Sequence, residues 1–175
     1  MRTTFNTWYD NKMRSTPELS QETDHIENLL KEIKTIAIVG ISRNKHKDSH
    51  YVGRYLQNAG YTIIPVNPEA DEILGQKAYP DLISIPEQVD AVDVFIKPDY
   101  VHLVMNQALE IDPKAIWLQL GTGTHPEQAE RAKQAGVFMI QNRCIKVDHQ
   151  FLIRDSKNPS EEPEIFQPTC NLTIN

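Results

Sequence analysis

Two textures of apolar spacing alternate along the chain. Ile26, Leu29, Leu30 and Ile33 stand at i, i+3, i+4 and i+7, which lays one apolar stripe along a helix. Thr35-Ile-Ala-Ile-Val39 is instead short, apolar and β-branched and ends at Gly40. A segment apolar on both faces predicts a strand inside a covered parallel sheet. After a polar loop, Val52, Tyr55, Leu56 and Ala59 return to helical spacing, with Ser49 as candidate N-cap and Gly60 as candidate C′ residue. Tyr61 to Val66 predicts a second strand. The stretch from Ala70 to Pro86 is less regular, with one short strand expected around Ala78-Tyr79. Val89 to Ile96 predicts a fourth strand. Pro98 then opens a helix carrying Val101, Val104, Met105, Ala108 and Leu109 on one stripe; proline suits a first turn, where its missing N–H has no partner anyway. Ala115 to Leu120 is the fifth strand, with Trp117 expected in the core. Thr124-His-Pro-Glu127 fits a capping box for a helix running to about Ala135, Gly136 ends it, and Val137 to Ile140 is the last strand.

Alternating strands and helices predict an α/β fold, a Rossmann-like doubly wound parallel sheet in a single domain. The boundaries expected are an N-terminal extension with a helix over 1–33, the sheet domain over 34–150, and a C-terminal tail over 151–175, rich in Pro, Glu, Ser and Asn from Arg154 onward. The extension, with Phe5, Trp8 and Tyr9 as its large apolar groups up to about Gln21, is expected to pack onto the domain or a partner. The chain has 175 residues, 39% hydrophobic and 24% charged, enough apolar material for one core. Its formal charge of −6 argues against a general nucleic-acid binder. Two cysteines, Cys144 and Cys170, are too few for a disulfide framework and lack metal-ligand spacing. With no signal-like start and no apolar run near the ~20 residues that cross a bilayer, a soluble cytoplasmic protein that does not engage membranes is expected.

Ligands of open α/β sheets bind at the carboxyl ends of the strands, where the winding reverses. Here that means the loops after the first and fourth strands. The first reads Gly40-Ile-Ser-Arg-Asn-Lys-His-Lys-Asp-Ser49. Gly40 allows a sharp turn and close backbone approach. Ser42 can donate a hydrogen bond, and Ser49 with the first N–H groups of the next helix can take a phosphate. Arg43, Lys45 and Lys47 concentrate positive charge in an acidic chain; the plainer alternative is an ordinary solvated loop. The dinucleotide pattern G-x-G-x-x-G is missing, since Ile41 and Ser42 follow Gly40. The second strand ends Pro65-Val-Asn-Pro68, with no acid at its tip to hold a ribose diol. Several cations also suit a ligand with the extra ribose phosphate of coenzyme A or NADP.

Val39-Gly-Ile-Ser-Arg43, Gly60-Tyr-Thr-Ile-Ile-Pro-Val-Asn-Pro68, Ile73-Leu-Gly-Gln-Lys-Ala-Tyr79, Val92-Asp-Val-Phe95, Trp117-Leu-Gln-Leu-Gly121 and Asn142-Arg-Cys144 together resemble the CoA-binding-domain proteins, a family similar to the N-terminal domain of the succinyl-CoA synthetase α subunit. The resemblance spans about Ile33 to His149. It implies coenzyme A or an acyl-CoA lying across the carboxyl edge of the sheet. The phosphates would meet Gly40, Ile41, Ser42, Arg43, Asn44, Lys45 and Ser49, with further contacts from Asn67-Pro68 and Ile96-Lys97-Pro98. Gly121 and Thr122 would flank the pantetheine end. The synthetase carries its phosphorylated histidine on a second domain, so the resemblance implies binding without ligase chemistry, as in a sensor, carrier or regulatory subunit with a protein partner or a second copy of itself. Lys45-His-Lys47 stands where family members often have prolines. Two other classes stay open: an NAD(P)-binding oxidoreductase domain and a protein-interaction module with a vestigial nucleotide site.

Other residues carry weaker signals. Cys144 beside Arg143 suits a lowered thiol pKa or, more simply, a small core residue. His46 and His50 lack a third metal ligand nearby. His125 within Gly121-Thr-Gly123-Thr-His125 suits a phosphohistidine loop but reads more simply as a helix start. Asp90 and Asp93 are expected to fix the ends of a buried strand rather than to act as an acid–base pair.

Overall fold

The computed structural model describes residues 4–154. Within them the chain divides into two compact units, residues 33–145 and residues 4–32 with 146–154. Of the tail expected over 151–175, residues 151–154 instead lie in a π-helical turn with Leu152 and Ile153 buried, and the rest, with Cys170, lies outside the described residues.

The larger unit is built on β1 (Thr35–Val39), β2 (Thr62–Val66), a hairpin of β3 (Glu72–Ile73) and β4 (Gln76–Lys77), then β5 (Ala91–Val94), β6 (Ala115–Leu118) and β7 (Phe138–Gln141). Five of these pair in the order β2-β1-β5-β6-β7, all parallel. The helices between them are α3 (Asp48–Asn58), α4 (Val101–Glu110), entered through a 3-10 turn at Pro98–Tyr100, and α5 (Pro126–Gln134). This is the expected Rossmann-like α/β fold.

Apolar content explains the burial. Ile36 to Val39, Ala91 to Val94 and Ala115 to Leu118 are buried at every position, as strands covered on both faces must be. One face carries Ala37, Val39, Ile64, Val66, Val92, Val94, Ile116 and Leu118, packed with Val101, Met105 and Ala108 of α4 and Ala132 of α5. By alternation the other face carries Ile36, Ile38, Ile63, Asp93, Trp117 and Ile140. There α3 comes so near that a Cβ on Gly53 would lie 3.2 Å from the Ile38 side chain and 2.9 Å from that of Ile41. Trp117 is core as expected, and its indole N–H donates to the Arg143 carbonyl at 3.1 Å.

Several local expectations need correction. Ser49 is not the N-cap of α3; Lys47 is, and Ser49 is its second helical residue. The capping box at Thr124 does not form. His125 is the N-cap of α5, Pro126 takes the first helical position, and no side chain caps the end. The backbone N–H of His125 donates instead to Gln141 Oε1 at 2.7 Å. Asp93 is not at a strand end but inside β5, fully buried. Asp90 does fix the start of β1, accepting the N–H groups of Lys34 and Thr35 at 2.8 and 3.0 Å. Burial alone would raise its pKa; those donors and the Lys114 charge outweigh burial and hold it below the ordinary value. Tyr79 makes only a single bridge to Val66, and the β3–β4 hairpin precedes it.

The smaller unit contains α1 (Thr4–Met13), α2 (Pro17–Glu32) and α6 (Ile145–His149), whose first residue closes the sheet unit and which continues into one π-helical turn, Gln150–Arg154. Thr23, Ile26, Leu29 and Leu30 form the buried face of α2. Arg14 pairs with Asp24 and Glu27, and the Thr23 hydroxyl donates to the Met13 carbonyl, tying α1 to α2. Tyr9 is buried, stacks on Phe151 with 4.3 Å between ring centroids, and donates its hydroxyl proton to Asp148. No helix among the described residues is long and apolar enough to cross a membrane.

Candidate functional site

Parallel register brings the strand ends level. Val66 of β2 pairs with Val39 of β1, Val39 with Val94 of β5, Val94 with Leu118 of β6, and Leu118 with Gln141 of β7. Five strands therefore finish on one row, about 19 Å wide at the usual ~4.8 Å strand spacing. Asn67, Gly40, Phe95 and Gln119 each start a loop just above it. The loops predicted to bind ligand, 40–49, 67–68, 96–98 and 121–122, leave this single edge. β1 and β5 are neighbours whose chains leave in opposite directions, so the switch point of the sheet lies between their loops.

Close backbone approach brings those two loops together. Gly40 has φ +79°, and a Cβ there would sit 2.3 Å from the Phe95 carbonyl oxygen and 3.2 Å from the Ile96 side chain. Only glycine tolerates both the angle and the space. Farther along the edge, a Cβ on Gly123 would lie 3.5 Å from Pro98 and 3.3 Å from the His125 ring. The loops after β1, β5 and β6 thus form one continuous rim.

The 40–49 loop is held by its own polar groups. Ser42 N–H donates to the Ser49 hydroxyl at 3.1 Å, and Asn44 N–H to the Ser42 hydroxyl at 3.1 Å. His46 N–H donates to Asn44 Oδ1 at 3.0 Å, and His50 Nδ1 to the Ser42 carbonyl at 2.8 Å. The Asn67 amide donates to the Ile41 carbonyl at 2.7 Å, and its Oδ1 accepts Glu69 N–H at 2.8 Å. Asn67 therefore clamps the β2 loop to the β1 loop. Ile41 is fully buried and Ser49 nearly so, placing both beneath the loop surface. Arg43, Asn44 and Lys45 are exposed above it, as are Pro68, Lys97 and Pro98. Ile96 and Gly121 are half-buried, while Thr122 is buried and spends its hydroxyl on the Gln119 carbonyl at 2.7 Å. Among the described residues no ion pair engages Arg43, Lys45, Lys47 or Lys97. The first N–H groups of α3 have no side-chain cap, though the Asp48 carboxylate stands in the same first turn and opposes an anion there.

Sequence reasoning missed His50 and Gln119, which brace this edge. The His50 signal was available, a histidine eight residues after Ser42 at a helix start. Gln119 had none, because its partner Asp93 lies on another strand.

Residues 34–150 match the CoA binding domain family, and the chain belongs to that family. It is 40% identical over 124 residues to the uncharacterized protein YneT of Bacillus subtilis (strain 168), covering 71% of this chain and 91% of YneT. It is also 34% identical over 79 residues to acetate–CoA ligase (ADP-forming) II of Archaeoglobus fulgidus, 44% of this chain but 12% of the ligase. Among solved structures, a hypothetical protein from Pyrococcus horikoshii OT3 superposes with a TM-score of 0.71 at 35% identity, over 74% of this chain and 91% of that one.

Proposed function

We propose that this chain binds coenzyme A, free or acylated, along the carboxyl edge of its sheet, with the phosphates over the 40–49 loop and the pantetheine end toward Gly121 and Thr122. The observation that carries the reading is the set of exposed cations Arg43, Lys45 and Lys97 on the loops of two adjacent strands, without ion-pair partners among the described residues, beside the close approach of Gly40 to Phe95. A phosphate-rich ligand supplies the missing countercharge. The family and the acetate–CoA ligase relative support the ligand class. The matched stretch makes up 12% of that ligase, and we assign it binding rather than ligation. Asn67 in place of an acid at the β2 tip, its amide already used on Ile41, disfavours a ribose-diol contact of the NAD type.

Isothermal titration of the full chain with coenzyme A, acetyl-CoA and NADPH tests this. Micromolar binding of the CoA compounds, about −8 kcal/mol, is expected. Binding of NADPH without heat from either CoA compound would replace the ligand assignment. Arg43→Ala with Lys45→Ala should weaken CoA at least tenfold; an unchanged affinity would move the site elsewhere.

A further inference from the structure

One buried acid lies just below the proposed pantetheine end. Asp93 is fully buried in β5, flanked in register by Ile38 of β1 and Trp117 of β6. Its Oδ1 accepts the Gln119 amide N–H at 2.9 Å, while Oδ2 has no partner. Gln119 is itself 3% exposed and is tied to β5 a second time by its backbone N–H to the Val94 carbonyl, at a long 3.3 Å. From Gln119 the bonds run outward. Its carbonyl accepts both the N–H (3.1 Å) and the hydroxyl (2.7 Å) of Thr122, closing the Gln119–Thr122 turn. The Thr122 carbonyl takes His125 Nε2 at 2.7 Å, and His125 N–H donates to Gln141 at the tip of β7. A carbonyl only accepts, so His125 Nε2 carries a proton.

We propose that Asp93 is a positioning residue of the coenzyme A site: it orients Gln119, and through Gln119 the Gly121–Gly123 turn that meets the pantetheine end. This rests on the site assignment above. Asp93 never reaches the ligand; it sets the height and angle of the turn that does. It does so as an uncharged acid. Among the described residues no charged group contributes to its titration: its register neighbours are apolar, and the buried α3 residues on that face of the sheet are Ser49, Val52, Gly53 and Leu56. An ionised carboxylate with one oxygen unpartnered in such surroundings is strongly disfavoured, and burial pushes its pKa up to about 8. Ionisation above that point keeps the Gln119 N–H on Oδ1, which favours the charged form, but the charged Oδ2 draws in water or a donor, and that intrusion shifts the turn above it.

The test is titration of coenzyme A into wild type, Asp93→Asn and Gln119→Met between pH 6.5 and 9. Asparagine keeps an acceptor for Gln119 and cannot ionise; it should bind within about twofold of wild type at pH 7 and escape a loss of affinity that wild type shows above pH 8. Methionine keeps the bulk of Gln119 without its amide and should weaken binding roughly tenfold with the fold intact by circular dichroism. Parallel pH profiles for wild type and Asp93→Asn, or unchanged affinity in a folded Gln119→Met, overturn the positioning role and leave the site standing. Absence of coenzyme A binding by wild type overturns the site, and this role with it.

Discussion

Replacing Gly40 with alanine isolates the closest approach in the binding edge. Two penalties add. A φ of +79° puts an L residue in the left-handed region, costing roughly 1–2 kcal/mol. The new Cβ would also sit 2.3 Å from the Phe95 carbonyl oxygen. That oxygen is backbone, not a flexible side-chain end, and both chains are pinned beside it, Phe95 N–H to the Val39 carbonyl at 2.9 Å and Gly40 N–H to the Val66 carbonyl at 3.0 Å. Forcing the two loops apart costs about 1–3 kcal/mol more by analogy with overpacked cores, for a total of roughly 2–5 kcal/mol. Gly136 is an internal control. Its φ is +77°, yet a Cβ there meets nothing within 4 Å, so Gly136→Ala carries only the angular cost of roughly 1–2 kcal/mol. Urea denaturation of both variants, followed by circular dichroism with the slope m checked for constancy, measures the difference. Gly40→Ala should be the less stable of the two by about 1–3 kcal/mol and should also lose coenzyme A affinity. Equal destabilisation of the two variants would refute the close-approach argument.

Other outcomes follow from individual contacts. Asp90→Ala should cost about 1–3 kcal/mol, since it strips an acceptor from two backbone N–H groups. The Asp90 pKa is lowered by folding, so its contribution is present above the ordinary value of 3.8 and fades as pH falls through the lower folded value; urea midpoints of wild type and variant should converge in acid. Asp93 has the opposite sign: its folded pKa is raised, so the native state holds a proton the unfolded chain releases, and stability falls as pH rises from about 4 to about 8. Asp93→Asn should gain on wild type across that window, by at most about 1.4 kcal/mol per pH unit, and a pH-independent gap in denaturation midpoints would contradict the buried neutral acid. Trp117→Phe removes the indole donor to the Arg143 carbonyl and should lower stability by about 1 kcal/mol, read from thermal melts.

The strands and major helices of the sheet unit were legible because each buries a stripe of fixed period. Thr35–Val39 and Val101–Leu109 could belong to little else. What escaped was decided by single contacts. The β3–β4 hairpin turns at Leu74 and Gly75, both at positive φ, and leucine is a poor advertisement for that angle. It is held there by the Gln57 amide on its carbonyl and by packing against Gly53 of α3. The capping box at Thr124 failed because Pro126 takes the first helical position and a side chain from β7 accepts the His125 N–H. Ser49 looked like a cap, but its hydroxyl serves the Ser42 N–H seven residues earlier.

By itself the sequence determined the fold class, the direction of the chain through the sheet unit, and which loops carry cations and glycine at the sheet edge. These depend on periodicity and on local residue type, both written along one dimension. Only the tertiary structure decided that the five strands end on one level, so that four loops distant in sequence share one rim. It alone set Gly40 against Phe95 and buried Asp93 against the Gln119 amide. Register and cross-strand contact depend on how separate segments stack. A carboxyl between two strands looks the same in sequence whether it ends a strand or lies beneath a binding site.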